Sequence, residues 1–152
     1  MRLLLGLHDV NLDSKDDEGH TPLWLAAKNG HSSVVKLLLE RNDVDPDTSV
    51  DGDTPLTVAV DNGHEEVVRL LLGKDNVDPN REKRGETLLF QAASNGAIVQ
   101  LLLQQDSVDP NQPNNTGWTP LMRAASQGHK AVVRLLLTRK DIKLGMQCHS
   151  TS

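Results

Sequence analysis

Gly19 to Leu39 reads GHTPLWLAAKNGHSSVVKLLL. The same phrase returns as GDTPLTVAVDNGHEEVVRLLL from Gly52 to Leu72 and as GWTPLMRAASQGHKAVVRLLL from Gly117 to Leu137. Between them Gly85 to Leu103 reads GETLLFQAASNGAIVQLLL, two residues shorter. The opening glycines at 19, 52, 85 and 117 stand 33, 33 and 32 residues apart. A fixed period of this length marks an array in which each unit buries its apolar face against the next.

Each unit predicts two helices. Thr21, Thr54, Thr87 and Thr119 are placed as N-caps, with hydroxyls that accept from the free N–H groups of a first turn. Pro22, Pro55 and Pro120 follow at the first helical position, where a missing N–H is no loss, and Leu88 takes that place in the third copy. Ala26-Ala27, Ala59-Val60, Ala92-Ala93 and Ala124-Ala125 are small enough for neighbouring layers to approach closely. Gly30, Gly63, Gly96 and Gly128 are expected to end the first helix in left-handed geometry. The second helix carries V-V-x-L-L-L, apolar over more than one stripe, as a helix packed between two layers requires. Val44-Asp45-Pro46, Val77-Asp78-Pro79 and Val108-Asp109-Pro110 are then extended, because a residue before proline avoids helix, and they lead into hairpin-like loops. The third copy lacks two residues and the usual His between Gly96 and Leu101. A shorter second helix or a tighter turn is expected there, with weaker local stability.

The chain has 152 residues, enough for one domain, with 37% hydrophobic but only 2% aromatic residues. Thin layers of Leu, Val and Ala suit such a composition. The net charge of −5, with no stretch read as strongly basic, argues against nucleic acid and anionic membranes as partners. Cys148 is the sole cysteine, so no internal disulfide forms, which fits a reducing compartment. The apolar run at the start is too short for a signal peptide, and nothing approaches the ~20 apolar residues of a membrane span.

The unit G-x-T-P-L-x-x-A-A-x-x-G-H-x-x-V-V-x-L-L-L resembles the ankyrin repeat over about residues 2–144. The resemblance implies an all-α solenoid of stacked helix-turn-helix units with hairpin-like loops. The expected units are a half repeat at 1–16 and repeats at about 17–49, 50–82, 83–114 and 115–144. Arg2 to Gly6 matches Arg69 to Gly73, the end of a second helix, so the array is read as a fragment or as starting on a ragged layer. Residues 145–152 are expected to be a disordered tail. The apolar second helix of the fourth repeat again suggests a fragment or a covered end. The D-V-D-P-N loops are similar in style to long fungal arrays, which makes a recognition fragment of a larger signalling protein an alternative.

No catalytic, metal or cofactor set stands out. His31, His64 and His129 recur at one position, and active-site groups are normally unique. The resemblance implies that this His hydrogen-bonds across adjacent loops. His8, His20 and His149 lack metal-ligand spacing. Asp43-Val44-Asp45-Pro46-Asp47 imitates the head of a calcium loop, but the required Gly and Glu positions hold Thr48 and Thr54. An enzyme subunit built on loop acids and histidines remains the rival from another class.

A protein-binding role is what the resemblance implies, through loop tips and first helices on the concave side, in an intracellular and monomeric protein. The corresponding residues are Asp17, Glu18, His20, Lys28 and Asn29 in the first repeat, and Val50, Asp51, Asp53, Asp61 and Asn62 in the second. The third supplies Lys83, Arg84, Glu86, Ser94 and Asn95; the fourth supplies Asn115, Thr116, Trp118, Ser126 and Gln127. Trp118 replaces His20, Asp53 and Glu86 of the other copies. It reads either as a binding anchor or as folded onto its own loop near Pro113 and Pro120. Trp24, Phe90 and Met122 are expected to pack at the seam between repeats. The acids of the first two repeats suggest a partner with a basic or polar segment there.

Overall fold

Four threonine hydroxyls set the register of the fold. Those of Thr21, Thr54, Thr87 and Thr119 accept from the backbone N–H three residues on, and each threonine is in extended geometry. All four are buried. The computed structural model describes residues 10–144. In chain order its elements are α1 (Pro22–Lys28), α2 (Ser32–Leu39), α3 (Pro55–Asp61), α4 (Glu65–Leu72), β1 (Glu82–Lys83), β2 (Glu86–Thr87), α5 (Leu88–Gln91), α6 (Gly96–Leu103), α7 (Pro120–Ser126) and α8 (Lys130–Leu137). The expected helix end at residues 2–7 and the tail at 145–152 lie outside the described residues.

The helices stack in two rows. First helices contact first helices, α1 on α3 on α5 on α7, and second helices do the same through α2, α4, α6 and α8. Leu23, Leu56 and Leu89 fill the inner row, and Leu71, Leu102 and Leu136 fill the outer, all almost wholly buried. A helix of seven or eight residues is marginal alone. Burial of one Leu or Val contributes about 1.5–3 kcal/mol, so the stacking holds the helices.

Polar contacts fix the spacing of the layers. The Lys74 ammonium donates to the Leu39 carbonyl at 2.6 Å, and Arg139 donates to Leu103 at 2.8 Å. Each cation satisfies an open helix C-terminus one layer back. The Asn111 amide, itself buried, donates to the Asp141 carbonyl at 2.8 Å and accepts from the Lys143 N–H. His64 Nε2 lies 2.9 Å from the Lys28 carbonyl, the cross-loop bond expected of this histidine.

Gly30, Gly63 and Gly128 adopt φ of +71° to +73° as expected. Gly96 does not: it opens α6 instead of closing α5. The side chain of Asn95 caps α6, accepting from Ala97 and Ile98. The two-residue deletion therefore removes the Gly-His turn. The end of the first helix tightens into a 3-10 turn over Ala92–Ser94, while α6 keeps the eight residues of the other second helices. Of the two outcomes expected for the deletion, the tighter turn is the one observed.

Candidate functional site

The loop tips take two forms. In the second and third repeats they are two-residue reversals, Asp51-Gly52 between the paired Val50 and Asp53, and Arg84-Gly85 between β1 and β2. Both residues of each reversal have positive φ, +52° and +89° then +56° and +75°. Such turns match strand twist but favour Asn or Gly. In the first and fourth repeats a side chain organises the loop instead. Asp16 Oδ1 accepts from the N–H groups of Glu18 and His20, and Asn114 Oδ1 accepts from Thr116 and Trp118. The backbone N–H of His20 is the main cause holding the Asp16 carboxyl below its ordinary pKa.

In the first repeat the aromatic seam anchors the face. His20 stacks on Trp24 with ring centroids 4.0 Å apart, and its Nδ1 lies 3.1 Å from Asp16. The Lys28 ammonium sits 5.1 Å from the Trp24 centroid. Trp24 Nε1 donates to the Asp53 carbonyl at 3.2 Å. Trp24 and Phe90 are buried and Met122 is half-buried, as expected for seam residues. Asp17 and Glu18 remain at the exposed tip, and the Asn29 amide is turned onto the Leu25 carbonyl.

Between the second and third repeats charges close on one another. Lys83 Nζ lies 2.9 Å from Asp53 and 2.7 Å from Asp61. Burial works against the Lys83 ammonium, but hydrogen bonds to Asp61 and then Asp53 outweigh it and raise its pKa. Two acids of the expected acidic surface are therefore already engaged, while Asp51 stays exposed. Val50 is half-buried at its bridge, and Asn62 donates to the Val58 carbonyl.

A recess of about 870 Å³ opens against the shortened turn. Asp61, Asn62, Lys83, Arg84, Glu86, Ser94 and Asn95 line it, seven of the residues expected to bind a partner. Arg123, Gln91 and Glu65 join them, and sequence reasoning missed all three. The signal for Arg123 was available: it is the one cation at a position that holds Leu25, Val58 and Gln91 elsewhere. Its guanidinium lies 4.7 Å from the Phe90 ring centroid and 3.7 Å from Glu86. Arg84 is exposed, and among the described residues its side chain has no hydrogen bond or ion pair.

In the fourth repeat the Asn115 N–H donates to the Gly85 carbonyl, and the Thr116 hydroxyl donates to Asn114. Trp118 is 43% exposed. The Ser126 hydroxyl donates to Arg123, and Gln127 is exposed. The residues expected to bind thus fall into three groups: the Trp24 cluster, the recess with its ion pairs, and the Trp118 tip.

The carboxylates of the calcium-like loop have local occupations. Asp43 accepts from Nε and Nη2 of Arg41, Asp45 accepts from Asp47 N–H and the Thr48 hydroxyl, and Asp47 pairs with Arg81 at 2.7 Å. No helix among the described residues is long and apolar enough to cross a membrane.

A family model described as ankyrin repeats (3 copies) matches residues 1–83 and 76–148. No curated protein matches the chain.

Proposed function

This chain belongs to the ankyrin-repeat family, whose repeats are generally protein-protein interaction modules, and from that premise we propose that it binds a partner protein at the recess of the third repeat. Arg84 carries the reading. A bulky residue held at φ +56° costs about 1 kcal/mol or more. Among the described residues its charge has no partner, and it lines the recess. Backbone strain of this kind persists where the surrounding structure holds it, and it concentrates at binding sites.

The neighbouring groups support binding over catalysis. Lys83 and Arg123 are neutralised by fixed carboxylates, which gives a shaped polar wall. Asp17, Glu18 and Asp51 are exposed on the loop tips of the first and second repeats, an acidic surface suited to a basic or polar segment of the partner. Trp118, exposed on the tip of the fourth repeat, is a separate aromatic contact point.

The test is capture from a lysate followed by cross-linking, using the native chain, an Arg84→Glu variant and a Trp118→Ala variant of matched melting temperature. Arg84→Glu should abolish recovery of the specific partner, with cross-links mapping to residues 83–97. Equal recovery with Arg84→Glu would remove the site from this recess.

A further inference from the structure

Charged side chains crowd the hairpin of the third repeat, and one of them is left over. Arg81 pairs with Asp47, Glu82 accepts from Gln112, Lys83 holds Asp53 and Asp61, and Glu86 faces Arg123. Arg84 alone of the charged residues from Arg81 to Glu86 has no partner among the described residues. The tip of the second repeat shows the same situation with the sign reversed. Asp53 is taken by Lys83, while Asp51 is exposed and has no partner among the described residues. Asp51 and Arg84 are also equivalent residues. Each precedes a glycine in a two-residue reversal, at φ +52° and +56°.

The two tips adjoin, since the Lys83 ammonium lies 2.9 Å from Asp53, which closes the reversal that carries Asp51. The helices that follow them, α3 and α5, pack directly on each other, and packed helices stand about 8–10 Å apart. One unpaired anion and one unpaired cation therefore stand one layer apart on one seam. A polyproline II helix sets residues i and i+3 on one face about 9.3 Å apart, from three residues per turn and a rise of ~3.1 Å. A β-strand points those two residues to opposite faces. An α-helix docks by an apolar stripe, whereas Asn62, Glu65, Ser94 and Asn95 wall the recess on this seam. A polyproline II backbone makes no internal hydrogen bonds, so its open polar groups suit that wall.

We propose that the partner lays a polyproline II segment across the seam of the second and third repeats, with a base opposite Asp51 and an acid three residues away opposite Arg84. The proposal rests on the reading that the recess of the third repeat binds a partner. It adds the conformation and the charge order of the bound segment. Either chain direction satisfies it, because the helix has the same three-residue spacing both ways. Two opposite charges held in order reject a segment of single sign, and that repulsion is the source of discrimination.

Binding of the 152-residue chain to an array of proline-rich synthetic peptides tests this. The probes carry Lys-Pro-Pro-Glu, Glu-Pro-Pro-Lys, Lys-Pro-Pro-Lys or Glu-Pro-Pro-Glu, with an adjacent Lys-Glu pair in the same proline host as the spacing control. The native chain should favour the two mixed peptides over the others by about threefold or more at low salt, the scale of exposed ion pairs. The preference should fade in about 1 M salt. Asp51→Arg should move it to Glu-Pro-Pro-Glu, and Arg84→Asp should move it to Lys-Pro-Pro-Lys. Asp51→Asn and Arg84→Asn remove one charge each and keep a residue that tolerates positive φ, so they serve where a reversal fails to fold. Each should bind the mixed peptides and the single-sign peptide opposing the remaining charge equally. Equal binding of all probes by the native chain, binding of none, or a preference that the reversals do not move overturns the proposal. If the peptides show no order while Arg84→Glu still loses the lysate partner, this inference fails and the recess reading stands. Retention of that partner by Arg84→Glu removes the recess reading, and this inference with it.

Discussion

Lys83 on β1 reaches Asp61 at the end of α3, Nζ to Oδ2 at 2.7 Å, and in doing so spans the seam between the second and third repeats. The same ammonium holds Asp53 at 2.9 Å. One cation on the shortened repeat thus neutralises two acids on its neighbour. Replacing it with methionine would leave the two carboxylates facing each other, at a cost of about 1 kcal/mol at low salt and less at high salt. A raised lysine pKa stabilises the fold at all pH below the unfolded value near ~10.4. That stability is lost as pH rises through the higher folded-state value. Urea titrations of native and Lys83→Met protein should therefore differ at neutral pH and converge in strong alkali. A constant difference across that range would show that Lys83 acts by packing alone.

Gly30 and Gly128 share nearly the same backbone, φ +72° and +73°, yet their surroundings differ. A Cβ on Gly30 would come within 2.6 Å of His64 Nδ1, whereas one on Gly128 would meet nothing within 4 Å. Gly128→Ala isolates the conformational term, about 1–2 kcal/mol. Gly30→Ala adds displacement of the imidazole from the Lys28 carbonyl, for a total nearer ~3 kcal/mol, taking about 1 kcal/mol for the lost bond. Thermal melts of the two variants should separate in that order. Equal shifts would mean that the His64 bridge is energetically silent.

The repeat framework was legible because it is written in residues with one structural use. Thr-Pro-Leu fixed the helix starts, and the glycines at 30, 63 and 128 fixed the turns. Gly96 misled, because a glycine keeps its role only in the turn that needs it, and here Asn95 caps the next helix first. The candidate surface was legible as positions but not as chemistry. Periodicity located Asp53, Asp61 and Lys83 without revealing that they face one another, since that depends on how far one hairpin reaches across a seam. Arg123 was visible residue by residue, and it was lost in a comparison made by motif.

Burial predicts a steep contrast between two leucines of the second helices. Leu136 is fully buried, while Leu37 on α2 is 58% exposed. Leu136→Ala should cost about 2–5 kcal/mol through lost transfer energy and the cavity left behind. Leu37→Ala should stay within ~0.5 kcal/mol, as surface changes do. Urea unfolding of dilute protein measures both. A large loss at Leu37 would mean that its side chain is packed in solution.

The deletion in the third repeat is the feature most open to reversal. Inserting His-Lys between Gly96 and Ala97 recreates the NGHKAIVQLLL pattern of the fourth copy. Gly96 would then return to a left-handed position, the 3-10 segment at Ala92–Ser94 would become helical, and the new His would sit one layer on from His64. His64 bonds the Lys28 carbonyl, so the equivalent acceptor is Asp61. One added cross-layer hydrogen bond contributes about 1 kcal/mol, and helical circular dichroism should rise with the melting temperature. The same insertion places a turn where Asn95, Gly96 and Ala97 now border the recess. A variant that is more stable yet no longer retains the partner would tie binding to the recess, since instability could not explain the loss. A stabilised variant that binds as before would leave the recess a mere scar of the deletion and move the partner to the Trp118 tip or the Trp24 cluster.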